Sequence, residues 1–182
     1  MIFRLFRPTP RDHIIASLYG AIVAQARVPA FYRRYCVPDT VNGRMEMIML
    51  HAVLVLRRLE GEAAPARALG QELFDRFCRD MDESLREMGV GDLAVPRKMR
   101  RIGEAFYGRQ AAYQAALAAP DDEPLAAALQ RNVFAGASEP AVAAQLAGYV
   151  REAARRLAAQ DAEGFERAEL AFPDPDALTV GV

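Results

Sequence analysis

The sequence predicts an all-α protein, a single-domain bundle of about six helices around a central apolar helix at about residues 41–60. Three observations carry that reading. Alanine is abundant, β-branched runs are short, and apolar residues recur at intervals of three and four along most of the chain. The 182 residues, 52% hydrophobic and 26% charged, suit one domain with a substantial core. The stretch MIMLHAVLVL is apolar on every side, and such a helix belongs either in a membrane or at the middle of a bundle. Its ten residues would cross only about half of a bilayer's hydrocarbon thickness, so the bundle is favoured.

The elements follow in order. A first helix over about 10–27 has Thr9 as N-cap and Pro10 at its first position, and is expected to bury Ile14, Ile15, Leu18, Ile22 and Val23. Pro29 opens a short helical turn carrying Phe31, Tyr32 and Tyr35. The central helix follows VPDT, where Pro38 marks the boundary and Asp39 or Thr40 can cap. A helix over about 65–88 sets Leu69, Leu73, Phe74, Phe77, Met81, Leu85 and Met88 on one stripe. Its opposite face offers the pairs Asp75–Arg79, Arg79–Glu83 and Asp82–Arg86 at i, i+4.

Pro96 starts the next helix, to about 118, carrying Phe106, Tyr107 and Tyr113. A helix over about 122–135 begins at PDDEP with Asp121 able to cap, and one over about 139–159 begins at Ser138 with Pro140 in its first turn. The chain thus divides into an N-terminal extension (1–9), a helical domain (10–159) and an acidic tail (160–182). The tail, QDAEGFERAELAFPDPDALTVGV, loses the period and gains acid and proline, which predicts a mobile or docked segment.

Charge nearly cancels, at −1, but is unevenly placed: +5 over residues 1–60, −4 over 61–95, +4 over 96–118 and −6 over 119–182. Such a surface is patchy, with basic faces suited to RNA or anionic lipid and an acidic tail that repels both. No run reaches about 18 consecutive apolar residues, and no signal-peptide pattern follows the basic start, so a soluble, cytoplasmic product is expected. Cys36 and Cys78 stand far apart and predict reduced, partly buried thiols rather than a disulfide or a zinc cluster.

Four motifs invite a chemical reading. MGVGDLA, residues 88–94, has the spacing of a dinucleotide-binding loop, but it follows a helix rather than a strand. Gly89 falls where a left-handed C′ glycine belongs, with Val90 folding back as in a Schellman cap. Asp80 and Asp82 imitate a metal pair, yet on a helix they point about 200° apart and read better as a solvated face. His51 has no metal-ligand or base partner at a suitable spacing and reads as a hydrogen-bonded core histidine. Arg97, Lys98, Arg100 and Arg101 crowd the first two turns of a helix, where cations oppose the dipole, so stability does not explain them. The acidic face of the preceding helix, an acidic partner, anionic lipid or RNA would. With no nucleophile elbow, no P-loop and two histidines in all, catalytic constellations are thin.

Several stretches in order, VPDTVNGRMEMIMLHAVLVLRRLEGE, LFDRFCRDMDESLREMGVGD, KMRRIGEAFYGRQAAYQAAL and LAAALQRNVF, resemble the ubiquinol–cytochrome c chaperone family. The resemblance spans about residues 12–135. It rests on Pro38, Asp39, Thr40, Leu50, His51, Arg58, Leu59, Asp80, Met81, Asp82, Leu85, Arg86 and Gly89, then on Lys98, Phe106, Tyr107, Gly108, Arg109, Arg131, Asn132 and Phe134. It implies a non-enzymatic assembly factor of the cytochrome bc1 complex that handles newly made cytochrome b. No cofactor, metal or DNA partner is implied. Mitochondrial members work at the inner membrane near the ribosome's exit with a small helical partner protein. The start of this chain has no transit-peptide character, which is similar to a bacterial member working in the cytoplasm, peripheral to the membrane at most.

Cytochrome b is almost entirely transmembrane helix, so a chaperone for it must offer apolar contact. The expected groove is lined by Phe31, Tyr32, Tyr35 and some of Met45, Met49, Met81 and Met88, methionine being adaptable to varied shapes. The patch Arg97, Lys98, Arg100 and Arg101 would approach anionic headgroups or ribosomal RNA. A rival from another class is an RNA- or ribosome-binding helical module built on the same cations.

Overall fold

The computed structural model describes residues 9–178; the expected N-terminal extension, apart from Thr9, and residues 179–182 lie outside them. Six longer helices and two short ones make up the described chain: α1 (Pro10–Ala26), α2 (Pro29–Arg33), α3 (Val41–Glu60), α4 (Ala64–Glu87), α5 (Val95–Ala118), α6 (Glu123–Asn132), α7 (Pro140–Ala159) and α8 (Ala162–Glu166). Helix α3 is the axis. It packs against α1, α4, α5 and α7 together, which is why its residues 47–56 are apolar in every direction and all buried.

Local chemistry fixes the helix ends. Thr9 and Asp12 form a reciprocal capping box at α1, with the Thr9 hydroxyl accepting from the Asp12 N–H at 3.1 Å and the Asp12 carboxylate accepting from the Thr9 N–H at 2.8 Å. Thr40 caps α3 by accepting from the Gly43 N–H at 3.1 Å. Gly43 itself has a packing reason: a Cβ there would lie 1.9 Å from the Pro38 carbonyl oxygen, so only glycine lets the VPDT turn close onto the helix.

MGVGDLA is a helix stop. Gly89 has φ +79°, its N–H donates to the Arg86 carbonyl at 2.9 Å, and the Val90 N–H donates to the Leu85 carbonyl at 3.0 Å. Those two bonds are the Schellman pair.

Several expectations need correction. Helix α6 stops at Asn132 rather than about 135, because Ala135 and Gly136 turn to φ +50° and +78° and the Gly136 N–H folds back onto the Gln130 carbonyl at 2.8 Å. Ser138 does not cap α7; Glu139 holds that position, and the Ser138 hydroxyl donates to Gln130 Oε1 at 2.6 Å instead. Cys36 is exposed rather than partly buried, sitting at φ +52° in the turn after α2. Ile14 and Val23 are half-buried flanks of α1, whose buried face is Ile15, Leu18, Tyr19, Ile22 and Ala26.

Although no run of 18 apolar residues exists, the stretch Pro10–Arg33 has the length and mean hydropathy, 1.4, of a membrane span. Its helical path breaks at Arg27–Val28 between α1 and α2, and Leu18, Ile22, Ala26 and Phe31 are fully enclosed in the bundle.

The tail is docked over residues 160–178. Phe165 of α8 is buried and its ring lies 5.6 Å from the Arg58 guanidinium. Beyond α8 an extended strap crosses the bundle, held mostly through its carbonyls. The Gln25 amide donates to Pro173 O at 3.0 Å, Tyr35 OH to Pro175 O at 3.1 Å, and the Arg34 guanidinium to Asp176 O at 2.8 Å and Leu178 O at 2.7 Å. A proline-rich segment loses little entropy when it is fixed this way, and the donors supply what a helix would have supplied internally.

Candidate functional site

Two places in the bundle gather the side chains singled out by the sequence, and they differ in kind. One is an enclosed aromatic chamber beneath the strap; the other is an open cleft at the far end of α4.

The chamber surrounds His51, which has no exposed surface. Phe31 and Phe172 stand edge-on to it and Tyr149 is tilted against it, with ring centroids of Phe31 and Tyr149 4.8 Å apart and of His51 and Phe172 5.1 Å apart. The Met47 carbonyl, one turn back on α3, lies 2.7 Å from His51 Nδ1 and can only accept, so Nδ1 carries the proton. Nε2 then accepts from Tyr149 OH at 2.8 Å, and that hydroxyl accepts from the Gln25 amide at 3.0 Å. Every polar atom of the imidazole is satisfied. Burial lowers the His51 pKa to about 4, the Met47 hydrogen bond opposing the shift only in part. The ring is thus a neutral structural linker of α3 and α7.

The expected groove therefore needs correction at three positions. Phe31, Tyr35 and Met49 are 0%, 1% and 0% exposed and belong to the core, so a client cannot reach them in this state. Phe31 and Tyr35 sit on or beside the short α2 against Tyr149 of α7, with the strap bonded to the Tyr35 hydroxyl, and Met49 lies on the buried central helix; a covering from the other end of the chain is not visible in local periodicity. Tyr32 is half-buried: its hydroxyl donates to the Ala26 carbonyl at 2.8 Å and its ring lies 5.7 Å from the Arg44 guanidinium.

Met45, Met81 and Met88 do come together. They line a cleft of about 260 Å³ between α3, α4 and α5, with Ile48, Leu85 and Ile102 on its floor and Val41 at its mouth. The cleft exists because the apolar stripe of α4 runs further than its packing partners. Leu69, Leu73, Phe77, Met81 and Leu85 are covered, whereas Met88, expected on the same stripe, projects with 56% of its surface exposed. Val41 is 66% exposed opposite it. Arg27 and Arg44 edge the cleft on one side and Glu87 on the other. The result is an apolar trough with flexible, polarizable thioethers and a mixed charged rim, suited to an apolar helix face rather than to a small polar substrate.

Next to this cleft lies the start of α5. Arg97, Lys98, Arg100 and Arg101 are all exposed. Among the described residues their one ion pair is Arg100 with Glu104, at 3.5 Å on the same helix. The acidic face of α4 does not engage them. Asp82 is bound to Arg86 at 2.6 Å, and Asp80, expected to be solvated, is half-buried and accepts from Tyr19 OH at 2.8 Å. Burial and the Asp80 carboxylate together push the Tyr19 phenol well up, so it remains a donor. Of the three i, i+4 pairs expected on α4, the structure forms Asp82–Arg86.

Some structural roles were not anticipated from the sequence. Glu46, on the apolar helix, is buried and held by a two-pronged pairing with Arg109 of α5. Burial raises the Glu46 pKa against the pull of that guanidinium. Arg58 reaches the C-terminus of α7, donating to the Leu157 and Gln160 carbonyls at 2.9 and 2.8 Å, two of the acceptors a helix end leaves open. A lone carboxylate beside an apolar run was the available signal for the first; the second was singled out only by the resemblance, with no sign of its place at the end of α7. Among the described residues, no three His, Cys, Asp or Glu side chains converge as a metal site.

Fold and cleft together define an all-helical domain with an apolar trough edged by charged groups. The chain belongs to the ubiquinol–cytochrome c chaperone family, whose model matches residues 33–172. It is 26% identical over 147 residues to the ubiquinol–cytochrome c reductase complex assembly factor 1 of Xenopus laevis, covering 80% of this chain and 73% of that protein. The corresponding proteins of Mus musculus and Homo sapiens are also 26% identical over 147 residues, and the match covers 50% and 49% of their own lengths. Among solved structures, the Cbp3 homolog from Brucella abortus superposes with a TM-score of 0.87 at 40% identity, over 98% of this chain and 100% of the other.

Proposed function

We propose that this protein is a non-enzymatic assembly factor of the cytochrome bc1 complex, ubiquinol–cytochrome c reductase, that holds newly made cytochrome b until its other partners arrive. The family match over residues 33–172 is the observation that carries this reading. The cleft supports it, because a client made of transmembrane helices presents an apolar face before haem and neighbouring subunits cover it. Met45 and Met88 would receive such a segment above the covered Met81, with Arg27 and Arg44 meeting polar groups at its end. The work would take place at the cytoplasmic face of the membrane that receives the client.

A strain lacking the gene should lose most of its bc1 haem absorbance and accumulate less cytochrome b, restored by the wild-type gene. A photo-crosslinking residue at Met88 should capture cytochrome b, while one at Glu163 of α8, on another part of the bundle, should not. Normal bc1 spectra and normal cytochrome b in the deletion strain would overturn the reading.

The exposed cations at 97–101 favour a second reading, a ribosome-binding helical module. It predicts salt-sensitive ribosome association that is abolished by charge reversal at Arg97, Arg100 and Arg101, without cytochrome b in the complex.

A further inference from the structure

The turn between α4 and α5 carries an arrangement that packing does not explain. Leu93 is 99% exposed at its tip. An isolated exposed leucine is ordinary, but this one is followed at once by Arg97, Lys98, Arg100 and Arg101, all of them exposed. The turn is helical in path: the Ala94 and Val95 N–H groups both donate to the Gly91 carbonyl, at 2.8 and 3.3 Å, and the Lys98 N–H donates to the Ala94 carbonyl at 3.1 Å. Leu93 therefore stands one helical turn ahead of Arg97 and on the same side. Arg86 braces the turn from behind by pairing with both Asp82 and Asp92, which ties up the acidic group nearest the tip. Cations at a helix start oppose the dipole, so the cluster weakens α5 and calls for an anionic partner outside the chain.

We propose that this tip docks on an anionic lipid surface, Leu93 entering the acyl boundary and the four cations lying in the headgroup layer. A lipid surface accounts for both halves of the feature. RNA or an acidic protein would match the charges but would leave Leu93 without a role. Lys98 is one turn from Ile102, which lines the methionine cleft, so docking would set the mouth of that cleft beside the membrane. This last consequence rests on the reading of the cleft as a client site; the lipid contact itself does not.

The sequence has no tryptophan, so Leu93→Trp installs a single fluorescent reporter at an exposed position where folding is not at stake. The full chain carrying it should show a blue-shifted emission with vesicles of phosphatidylcholine containing phosphatidylglycerol, and none with phosphatidylcholine alone. A matched Tyr107→Trp reporter, further along α5, should not shift. In flotation assays, wild type should bind the anionic vesicles, Arg97→Glu/Arg101→Glu should weaken binding by at least about tenfold, and Leu93→Ser by roughly three- to tenfold. No blue shift at position 93, or vesicle binding indifferent to both sets of variants, overturns the proposal. So does an association with ribosomes that needs the cations but not Leu93. Loss of vesicle binding with cytochrome b capture intact would remove this inference and leave the client reading standing; the reverse result would do the opposite.

Discussion

The chamber around His51 and the cleft beside Met88 are built from the same kinds of residue and end in opposite states. In the chamber, Phe31, Tyr35 and Tyr149 are enclosed, and each polar atom of His51 has a partner. In the cleft, Met45, Met88 and Val41 keep apolar surface open to solvent, and Arg27 and Arg44 stand at the edge. The difference lies in what crosses over them. The chamber is covered by α7 and by a strap from the far end of the chain, whereas among the described residues nothing lies across the end of α4. A core and an open apolar surface are thus distinguished by long-range covering rather than by composition.

Substitutions should separate the two sharply. Phe31→Ala removes a fully buried ring and should cost about 3–5 kcal/mol, read as a lower urea midpoint, with client capture failing only as the fold fails. Arg109→Ala, which leaves the Glu46 carboxyl buried between α3 and α5 without its partner, should destabilise by about 3 kcal/mol or slightly more, and Arg109→Ala/Glu46→Gln should recover part of that loss. Of these two regions, acid should act on the chamber. Neutral His51 has its pKa lowered to about 4 in the fold and regains about 6.5 when unfolded, so the unfolded chain binds the extra proton first. This part of the stability is complete above pH 6.5 and falls between about 6.5 and 4 by roughly 3 kcal/mol. Urea unfolding at a series of pH values, compared with His51→Phe, checks the slope, which the variant should flatten.

Tyr149→Phe should cost about 1–3 kcal/mol by leaving His51 Nε2 without its donor. The smallest stability effect belongs to the cleft. Met88→Ser should change stability by less than about 0.5 kcal/mol while reducing crosslinking to an apolar client several-fold. If it destabilised as much as Phe31→Ala, the contrast between the two regions would be lost.

How far the sequence foretold this is uneven. Helix α3 was legible because an all-apolar decamer admits few fates, and Thr9, Thr40 and Gly89 announced their caps through local chemistry that needs no tertiary partner. His51 was legible as a satisfied core histidine, though its partner on α7, 98 residues away, was not. The division of the methionines failed because periodicity marks a side as apolar without saying where its covering ends: Met81 and Met88 share a stripe and differ in exposure, 7% against 56%. The tail was the least legible. Its strap is held by side chains of Gln25, Arg34 and Tyr35, about 140 residues earlier, acting on backbone carbonyls that any sequence possesses.

Because the chain has only two histidines and His13 is exposed on α1, the imidazole of His51 is a ready-made spectroscopic sensor. Gln25 donates at once to the hydroxyl that bonds this ring and to the strap at Pro173. Lifting the strap would free that amide and uncover Phe172 from the ring face, moving the ring's nitrogen and carbon resonances together. Histidine-selective NMR labelling would then read, from one buried ring, how often the far end of the chain lets go.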